Sequence, residues 1–534
     1  MKIEEFLKKI HLEVDNWDDY GFEQTMKFYY EDNLKFYVKV EPNDEKNISR
    51  ILQGVDEIEN SNFKTIFWGG SSDYYEFIKS KLQDEEESGK WYRLTGDIAY
   101  RNEEFINKYD NALNIYANNT FGEDILDHDS EELNNSINFV RMINRSFFRE
   151  IKHWRDLLNQ CHRLTIGEDF LSNYKLNIQN KTHELLKVDV KPKDNIIISL
   201  NESVSNESEL PFIISNNIFC IIGKNGSGKT TFLRNLAKAF AKCESKLSIV
   251  NGIYDTKEDA NVIKKVIYIS FSPFDEKIIF EKNDIDSEYI GVQNYSNDIG
   301  VNDQIDRELL SLLKQIKNHP DQSRRRLWRE MLRRISFESW SDKIMGIYRD
   351  DFSIGPEYSA EGKENSKTSF IYTAEEESMK KISQLSSGQK IFILVLTNLA
   401  LKIYERTVVL MDEPELFLHP PMIKAYIRLL ADLISYYNGL AFVATHSPIT
   451  IQEIPNTCVK IANRDIEGNY KLDSVDMKTF GESINTINDS IFNIGLQQTG
   501  YYKIIDILKT NGDHKDLENL NRITGSEGSL LLRI

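Results

Sequence analysis

Cysteine is scarce in this sequence: four residues among 534, at Cys161, Cys220, Cys243 and Cys458. No two stand in CxxC spacing, which argues against a disulfide scaffold and a structural zinc site, and a reducing compartment is expected. Long apolar runs are absent too. No stretch of about 18 apolar residues occurs, and a membrane-crossing helix needs one. The N-terminal stretch MKIEEFLKKIHLEVDNWDD places acids where a signal peptide needs an unbroken apolar core. A cytoplasmic protein without membrane contact is the expectation. Positive charge is outnumbered as well: Lys and Arg total 66 against 84 Asp and Glu, a formal charge of −18. A chain this acidic binds nucleic acid only through a local basic patch. Internal repeats and sustained heptads are missing, which excludes a long coiled-coil arm.

What is present is core-forming material. Hydrophobic residues make up 40% and aromatics 11%, and the length predicts two or three domains. Residues 1–180 carry no motif and read as an α+β accessory domain. Met26–Val40 reads as two strands around a polar turn at Glu31–Asn33, Asn62–Trp68 as a strand stopped by Gly69 and Gly70, and Tyr74–Leu82 as a short helix. Phe139, Met142, Ile143, Phe147, Ile151 and Trp154 recur at helical spacing across Asn135–Leu158. His153 and His162 lack ligand spacing and read as ordinary histidines.

After a turn-like break at Asp189–Asn195 the texture changes. Ile196–Leu200 and Ile218–Ile222 are short apolar strands, and from there strands alternate with helices. That is the pattern of an α/β domain around a largely parallel sheet. It spans about 190–470, with a helical insert near 276–380 that includes a polar loop at Ser353–Glu376. Residues 471–534 read as a C-terminal helical extension. Within it Gly481–Leu508 is either a docking surface for a partner or plain core packing.

The strongest chemical signal is Gly223-Lys224-Asn225-Gly226-Ser227-Gly228-Lys229-Thr230, a GxxxxGK[ST] loop between strand Phe219–Ile222 and helix Thr231–Ala241. Its glycines let backbone N–H groups wrap a phosphate chain, and the helix start adds a positive dipole end. Lys229 is expected to reach the β- and γ-phosphates of ATP, and the Thr230 hydroxyl to bind Mg²⁺. Asn225, Gly226, Ser227, Gly228 and Thr231 complete the cradle. Cys220, inside the strand, reads as a small core residue. Downstream, Val408–Met411 is an apolar strand ending in Asp412 and Glu413. Open α/β sheets place ligands at such strand ends. Asp412 would hold the Mg²⁺ hydration shell and Glu413 would polarise the attacking water.

Leu385-Ser386-Ser387-Gly388-Gln389 resembles the LSGGQ signature of ATP-binding-cassette ATPases and precedes the apolar stretch Ile391–Ile403. A Ser and a Gly at a helix start can donate to a phosphate held by a second subunit; a plain N-cap, which Ser387 would also provide, is the alternative. His446 follows the strand Leu440–Val443, where cassette ATPases keep a histidine facing the γ-phosphate. The order of the four elements supports the resemblance. The string Asp412-Glu413-Pro414-Glu415-Leu416-Phe417-Leu418-His419-Pro420, with the later THSP, is similar to the branch related to recombination and chromosome-maintenance proteins. That branch includes the ATPase half of overcoming-lysogenisation-defect nucleases and the ATPases of anti-phage systems such as Septu, some of them retron-linked. The resemblance covers about residues 195–460.

It implies an ATPase working as a head-to-tail homo-oligomer, at least a dimer, in which the P-loop of one chain meets Ser386 and Gly388 of another. The Septu likeness implies a separate HNH-type nuclease as partner, since this sequence has no HNH cluster and its last segment lacks the acid cluster of a topoisomerase-primase nuclease. A DNA repair or recombination ATPase is the rival reading, and a soluble transporter cassette a weaker one. Two departures stand out. Val266–Asp275 holds no Gln to sense Mg²⁺, leaving Ser270 or Ser272 as substitutes, and about 155 residues separate Lys229 from the signature, room for an inserted helical subdomain. That insert contains Arg324, Arg325, Arg326, Arg329 and Arg333. Three of them, Arg326, Arg329 and Arg333, share a helix face. They form either a phosphate-contacting nucleic-acid surface or a solvated helix pairing with acids of a neighbouring subunit.

Overall fold

The computed structural model describes residues 1–15, 25–41, 66–121, 131–148, 154–168, 171, 173–180, 183–198, 212–224, 226–253, 262–272, 276–280, 285–295, 301–319, 321–335, 340–349, 376–464, 469–492, 500–511 and 520–525. Ile151, His153, Asn225 and the expected polar loop as far as residue 375 lie outside them.

Near the N-terminus, α1 (Ile3–Leu7) leads into β1 (Ile10–Val14), β2 (Thr25–Tyr30), β3 (Asn33–Val40) and β4 (Phe67–Trp68), an antiparallel sheet in sequential order. Glu31 and Asp32 join β2 to β3 with φ of 48° and 62°, the mirror-image turn whose twist matches a hairpin. Against this sheet pack α2 (Ser72–Lys81), α3 (Glu85–Thr95), α4 (Asn102–Phe121), α5 (Glu131–Met142) and α6 (Trp154–Thr165). Aromatic rings fill the space between: Phe28 meets Tyr74 edge-on at 5.8 Å and Trp91 at 6.3 Å. The helix expected over Asn135–Leu158 is interrupted. A π-helical turn occupies Ile143–Phe147, and α6 starts afresh at Trp154. Met142, Ile143, Ser146, Phe147 and Phe148 are all buried, more adjacent positions than one α-helical stripe can bury, and the wider turn swings them inward together. His162 is a structural histidine, its Nδ1 2.8 Å from the Ala99 carbonyl.

The second core is built on β5 (Tyr174–Asn180) and β6 (His183–Val190), then β7 (Ile196–Ile198), β8 (Phe212–Ile214), β9 (Ile218–Ile222), α7 (Lys229–Phe240), β10 (Leu247–Ile253), β11 (Lys265–Ser270) and β12 (Asp286–Gly291). Three helices follow: α8 (Val301–Lys317), α9 (Gln322–Arg334) and α10 (Trp340–Arg349). Then come α11 (Ser387–Lys402), β13 (Thr407–Asp412), α12 (Pro420–Tyr436), β14 (Leu440–Thr445), β15 (Val459–Arg464), β16 (Tyr470–Ser474) and α13 (Gly500–Asn511). The central sheet has seven strands in the order β12-β11-β13-β14-β9-β15-β16, all parallel except the edge strand β16. Strands β9, β11, β13 and β14 are buried throughout, as expected of a parallel sheet covered on both faces.

Three expected boundaries shift. Strand β5 pairs with β6 and β10, and Tyr174, Leu176 and Ile178 enter the second core. A boundary at 180 would cut that hairpin, so the division falls before Tyr174. The insert expected to be helical opens with β12, which extends the sheet beside β11. Its sequence, DSEYIG, is too short and polar to show a strand period. At the other end β16 crosses the expected boundary at 470/471, so the extension begins after Ser474. Beyond it Ile487 and Ile505 are buried, while Ile484, Ile504 and Ile507 are exposed. Among the described residues no helix is long and apolar enough to cross a membrane.

Candidate functional site at the sheet's carboxyl edge

Strand β9 carries five consecutive buried residues and ends at Ile222, just before Gly223. The loop then turns through Gly226 (φ 81°) and Gly228 (φ 90°), angles that side chains disfavour. Helix α7 starts at Lys229, which is 5% exposed. Its ammonium donates to the Gly223 carbonyl at 3.0 Å and the Lys224 carbonyl at 3.4 Å, so it lies folded over the loop. The Ser227 hydroxyl is enclosed without a hydrogen-bond partner among the described residues. Thr231 is exposed in the first turn.

Beside the loop, β13 delivers Asp412 at its carboxyl end. Thr230 donates its hydroxyl hydrogen to Asp412 Oδ1 at 3.3 Å. Tyr268, on the adjacent β11, donates to Oδ2 at 3.2 Å. Ser270 pairs in register with Asp412, two residues beyond Tyr268 on the same strand. A hydroxyl and a carboxylate at this separation are oxygen donors of the kind Mg²⁺ takes beside a phosphate. A buried lysine and an unpartnered enclosed hydroxyl in the loop fit the phosphates. The residues present therefore suit ATP with Mg²⁺.

Glu413 has φ 45° and ψ 62°, a left-handed backbone for a residue with a side chain. Such a conformation costs about 1–2 kcal/mol and persists only where its surroundings hold it. Here the Glu413 N–H donates to the Ala444 carbonyl at 2.9 Å, and the turn brings Glu413 Oε1 to 3.4 Å from His446 Nδ1. Glu415 ties the same two segments. Its Oε1 accepts from the Thr445 hydroxyl at 2.7 Å and from the His446 N–H at 3.0 Å, while its Oε2 is enclosed without a partner. The imidazole itself is 45% exposed toward the crevice.

The signature residues stand at the start of α11. Ser386, rather than Ser387, caps that helix: its Oγ accepts from the Gln389 N–H at 3.3 Å, and Gln389 Oε1 accepts from the Ser386 N–H at 3.0 Å. This reciprocal pair is a capping box. It leaves Ser387 exposed and unused by the cap. Gly388 faces the loop after Glu413 so closely that a Cβ there would lie 2.5 Å from the Phe417 carbonyl oxygen. Behind that loop lies a small, largely apolar recess, lined by Phe271, Phe392, Met411 and Tyr426 among others.

Arg326, Arg329 and Arg333 stand on the outer side of α9, as their shared spacing predicts, whereas Arg324 turns inward. Arg324 is 3% exposed. Its guanidinium donates to the Ala400 and Ile403 carbonyls and lies over the rings of Tyr404 and Tyr437 at 5.0 and 4.6 Å. Arg325 is half-buried. Arg326 pairs with Asp73 of α2 at 3.7 Å, and Arg333 with Glu330 at 3.5 Å. Arg329 is exposed. Spacing predicts a helix here; it does not show that the helix is spent on joining the N-terminal unit to the second core. The Arg163–Glu405 ion pair and the Ser72 and Tyr436 hydroxyls, 3.5 Å apart, lie on the same seam.

One cation at the nucleotide edge has no sequence signal at all. Arg464 ends β15, next to β9, and its guanidinium covers Gly228: a Cβ on that glycine would meet Nη2 at 2.7 Å. Its Cζ lies 5.6 Å from the centre of the Tyr470 ring. Tyr470 is anchored in turn to α7, by an edge contact with Phe232 at 5.3 Å and a hydrogen bond from Asn235 at 3.3 Å. Tyr268 and Glu415 escaped sequence reasoning for a related reason: their partners come from other strands.

Residues 218–451 match the family model described as "AAA domain, putative AbiEii toxin, Type IV TA system". The chain is 28% identical over 335 residues to Protein ea59 of Escherichia phage lambda. That match covers 60% of this chain and 62% of the phage protein, so the chain spans less than two thirds of its relative's length. Solved structures with some similarity include a nucleotide-free ATP-binding cassette from an ABC transporter, 14% identical with a TM-score of 0.24, covering 54% of this chain and 87% of that one. Another is a bacterial Atm1-family ABC exporter with ATP bound, 12% identical with a TM-score of 0.26, covering 85% and 65%. At such scores the fold assignment stands on the chain's own strand order and loop and on the family match. The fold is that of an α/β P-loop ATPase.

Proposed function

We propose that this protein binds ATP with Mg²⁺ and hydrolyses it, and that the nucleotide state controls how copies of the chain associate and regulate a separate nuclease in bacterial anti-phage defence. The observation that carries the ATPase reading is the convergence of three strand ends. Lys229 and Thr230 follow β9, Asp412 and Glu413 end β13, and His446 follows β14, with Thr230–Asp412 at 3.3 Å and Glu413–His446 at 3.4 Å. The defence part is supported by the DEPE string and by a family description that names a toxin of a type IV toxin–antitoxin system.

In this reading the loop N–H groups and Lys229 grip the phosphates. Thr230 and Asp412 would hold Mg²⁺, which neutralises charge on the phosphate oxygens. Tyr268 fixes the carboxylate of Asp412 so that its other oxygen faces the site. Glu413 orients and deprotonates the attacking water. His446, held at its backbone by Glu415, faces the γ-phosphate. Exposed Ser387 and the start of α11 face a second copy, so ATP joins two subunits until hydrolysis releases them.

The test is Glu413→Gln. Hydrolysis falls by about 10²-fold or more, nucleotide binding stays, and ATP produces a stable dimer or larger assembly in size-exclusion chromatography. Lys229→Ala loses binding instead. Loss of nucleotide binding by folded Glu413→Gln would sink the assigned role. For the partner, the Glu413→Gln form is purified with its flanking genes expressed and its companions identified by mass spectrometry. A stoichiometric nuclease is expected. Recovery of DNA alone, with hydrolysis stimulated by DNA, would favour the repair reading over the regulatory one.

A further inference from the structure

We infer that Arg464 is a further nucleotide-contacting residue, meeting the end of the phosphate chain remote from the γ-phosphate. The inference rests on the ATP site proposed above and deepens it. The sheet order sets the direction of the nucleotide. Asp412, Glu413 and His446 stand at the ends of β13 and β14, on one flank of β9. Water attack happens there, so the γ-phosphate belongs on that flank. The next strand on the other flank, about 4.8 Å away, is β15, and its last residue is Arg464. A phosphate chain laid across the loop from the first flank ends beside the second.

Position and chemistry agree at that end. The guanidinium lies against Gly228, the residue that precedes the first turn of α7, where helix N–H groups point outward. It covers the space a Cβ would fill, so the close approach is one that only glycine permits. No acid among the described residues pairs with Arg464. Beside it stands the Tyr470 ring, 5.6 Å from Cζ to the ring centre, a contact that spends none of the guanidinium's N–H donors. Tyr470 is fastened to α7 through Phe232 and Asn235. The cation is therefore carried on a platform that moves with the phosphate-binding helix. In a chain with a formal charge of −18, an arginine held against a phosphate loop and paired with no acid among the described residues is placed for an anion. A phosphate accepts the guanidinium fork in a planar, charge-assisted pair.

The experiment measures Kd for fluorescent ATP and ADP on the full chain, for the wild type and for Arg464→Ala, Arg464→Gln and Arg464→Lys. A contact to the shared phosphates raises Kd for both nucleotides by the same factor, roughly ten-fold for one partly solvated charge-assisted bond. Lysine recovers part of the loss and glutamine does not. The turnover number at saturating ATP stays within two-fold while KM rises, because the groups around the γ-phosphate are untouched. Thermal midpoints of the nucleotide-free variants match the wild type, since the side chain is exposed. Unchanged Kd values overturn the inference. So does a loss confined to ATP, which would put Arg464 at the γ-phosphate, or an equal loss in all three variants with a lowered thermal midpoint, which would make it structural. A wild type that binds neither nucleotide would instead overturn the ATP site itself.

Discussion

Asp97 lies in the N-terminal core, fully buried, and no cation among the described residues faces it. It accepts hydrogen bonds from the Tyr75 hydroxyl at 3.0 Å and the Ala99 N–H at 2.8 Å. Burial outweighs these bonds and pushes its pKa from 3.8 up to about 7. The unfolded chain releases this proton near pH 4, and the folded chain keeps it to about pH 7. Stability from this group is therefore complete below pH 4 and is lost as pH rises toward 7. At about 1.4 kcal/mol per pH unit, keeping the carboxyl folded costs about 1.5 kcal/mol at pH 5 and about 4 kcal/mol above pH 7. Asp97→Asn removes the titration and gives up one acceptor, worth about 1 kcal/mol. Its stability relative to wild type should rise by about 2.5 kcal/mol between pH 5 and pH 8. Glu87, held down to about 2 chiefly by Lys90 and the Ile3 N–H, acts only below its ordinary 4.5, outside this window. Because the chain has two cores, a bulk melting curve would mix them. Hydrogen exchange of peptides from α2 and α3 in graded urea isolates the N-terminal one. A difference between variant and wild type that stays flat from pH 5 to pH 8 would refute the reasoning.

Two further outcomes follow from close contacts. Arg324→Met removes a buried cation that caps two carbonyls and sits between two tyrosines, and leaves Asp321, 3.9 Å away, without it; a loss of about 3–5 kcal/mol is expected in urea unfolding, and a loss below 1 kcal/mol would show that the clamp is dispensable. Gly388→Ala puts a methyl 2.5 Å from the Phe417 carbonyl; hydrolysis should fall at least ten-fold with ATP affinity within three-fold of wild type, because the displaced loop carries Glu413 and not Lys229, and unimpaired turnover would show that the loop yields freely.

The nucleotide loop is legible in the sequence because its chemistry is local: a strand, six residues and a helix start lie consecutively. Asp412 and Glu413 are legible for the same reason, as the end of an apolar run. Their supports are not. Tyr268 and Arg464 reach the site only because β11 and β15 flank β13 and β9, and strand order is not written in any one segment. Glu415 stands inside a quoted motif, yet its partners come from β14. Periodicity placed α9 and the outward side of Arg326, Arg329 and Arg333, but Arg324 read as surface when it is a clamp. The short polar strand β12 and the π-turn after α5 broke the expected helices because tertiary burial overrode local pattern.

Helix α11 is 16 residues long, about 24 Å at 1.5 Å per residue, and every residue from Lys390 to Leu401 is buried. Its first turn presents Ser387 and presses Gly388 on the loop of Glu413. Its last turn is gripped by Arg324, on the helix that also meets Asp73 of the N-terminal unit. A rod packed along its length cannot bend to absorb a push, so displacement at one end arrives at the other. The turn that carries Ser387 and the turn tied through α9 to the N-terminal unit are thus ends of one packed rod.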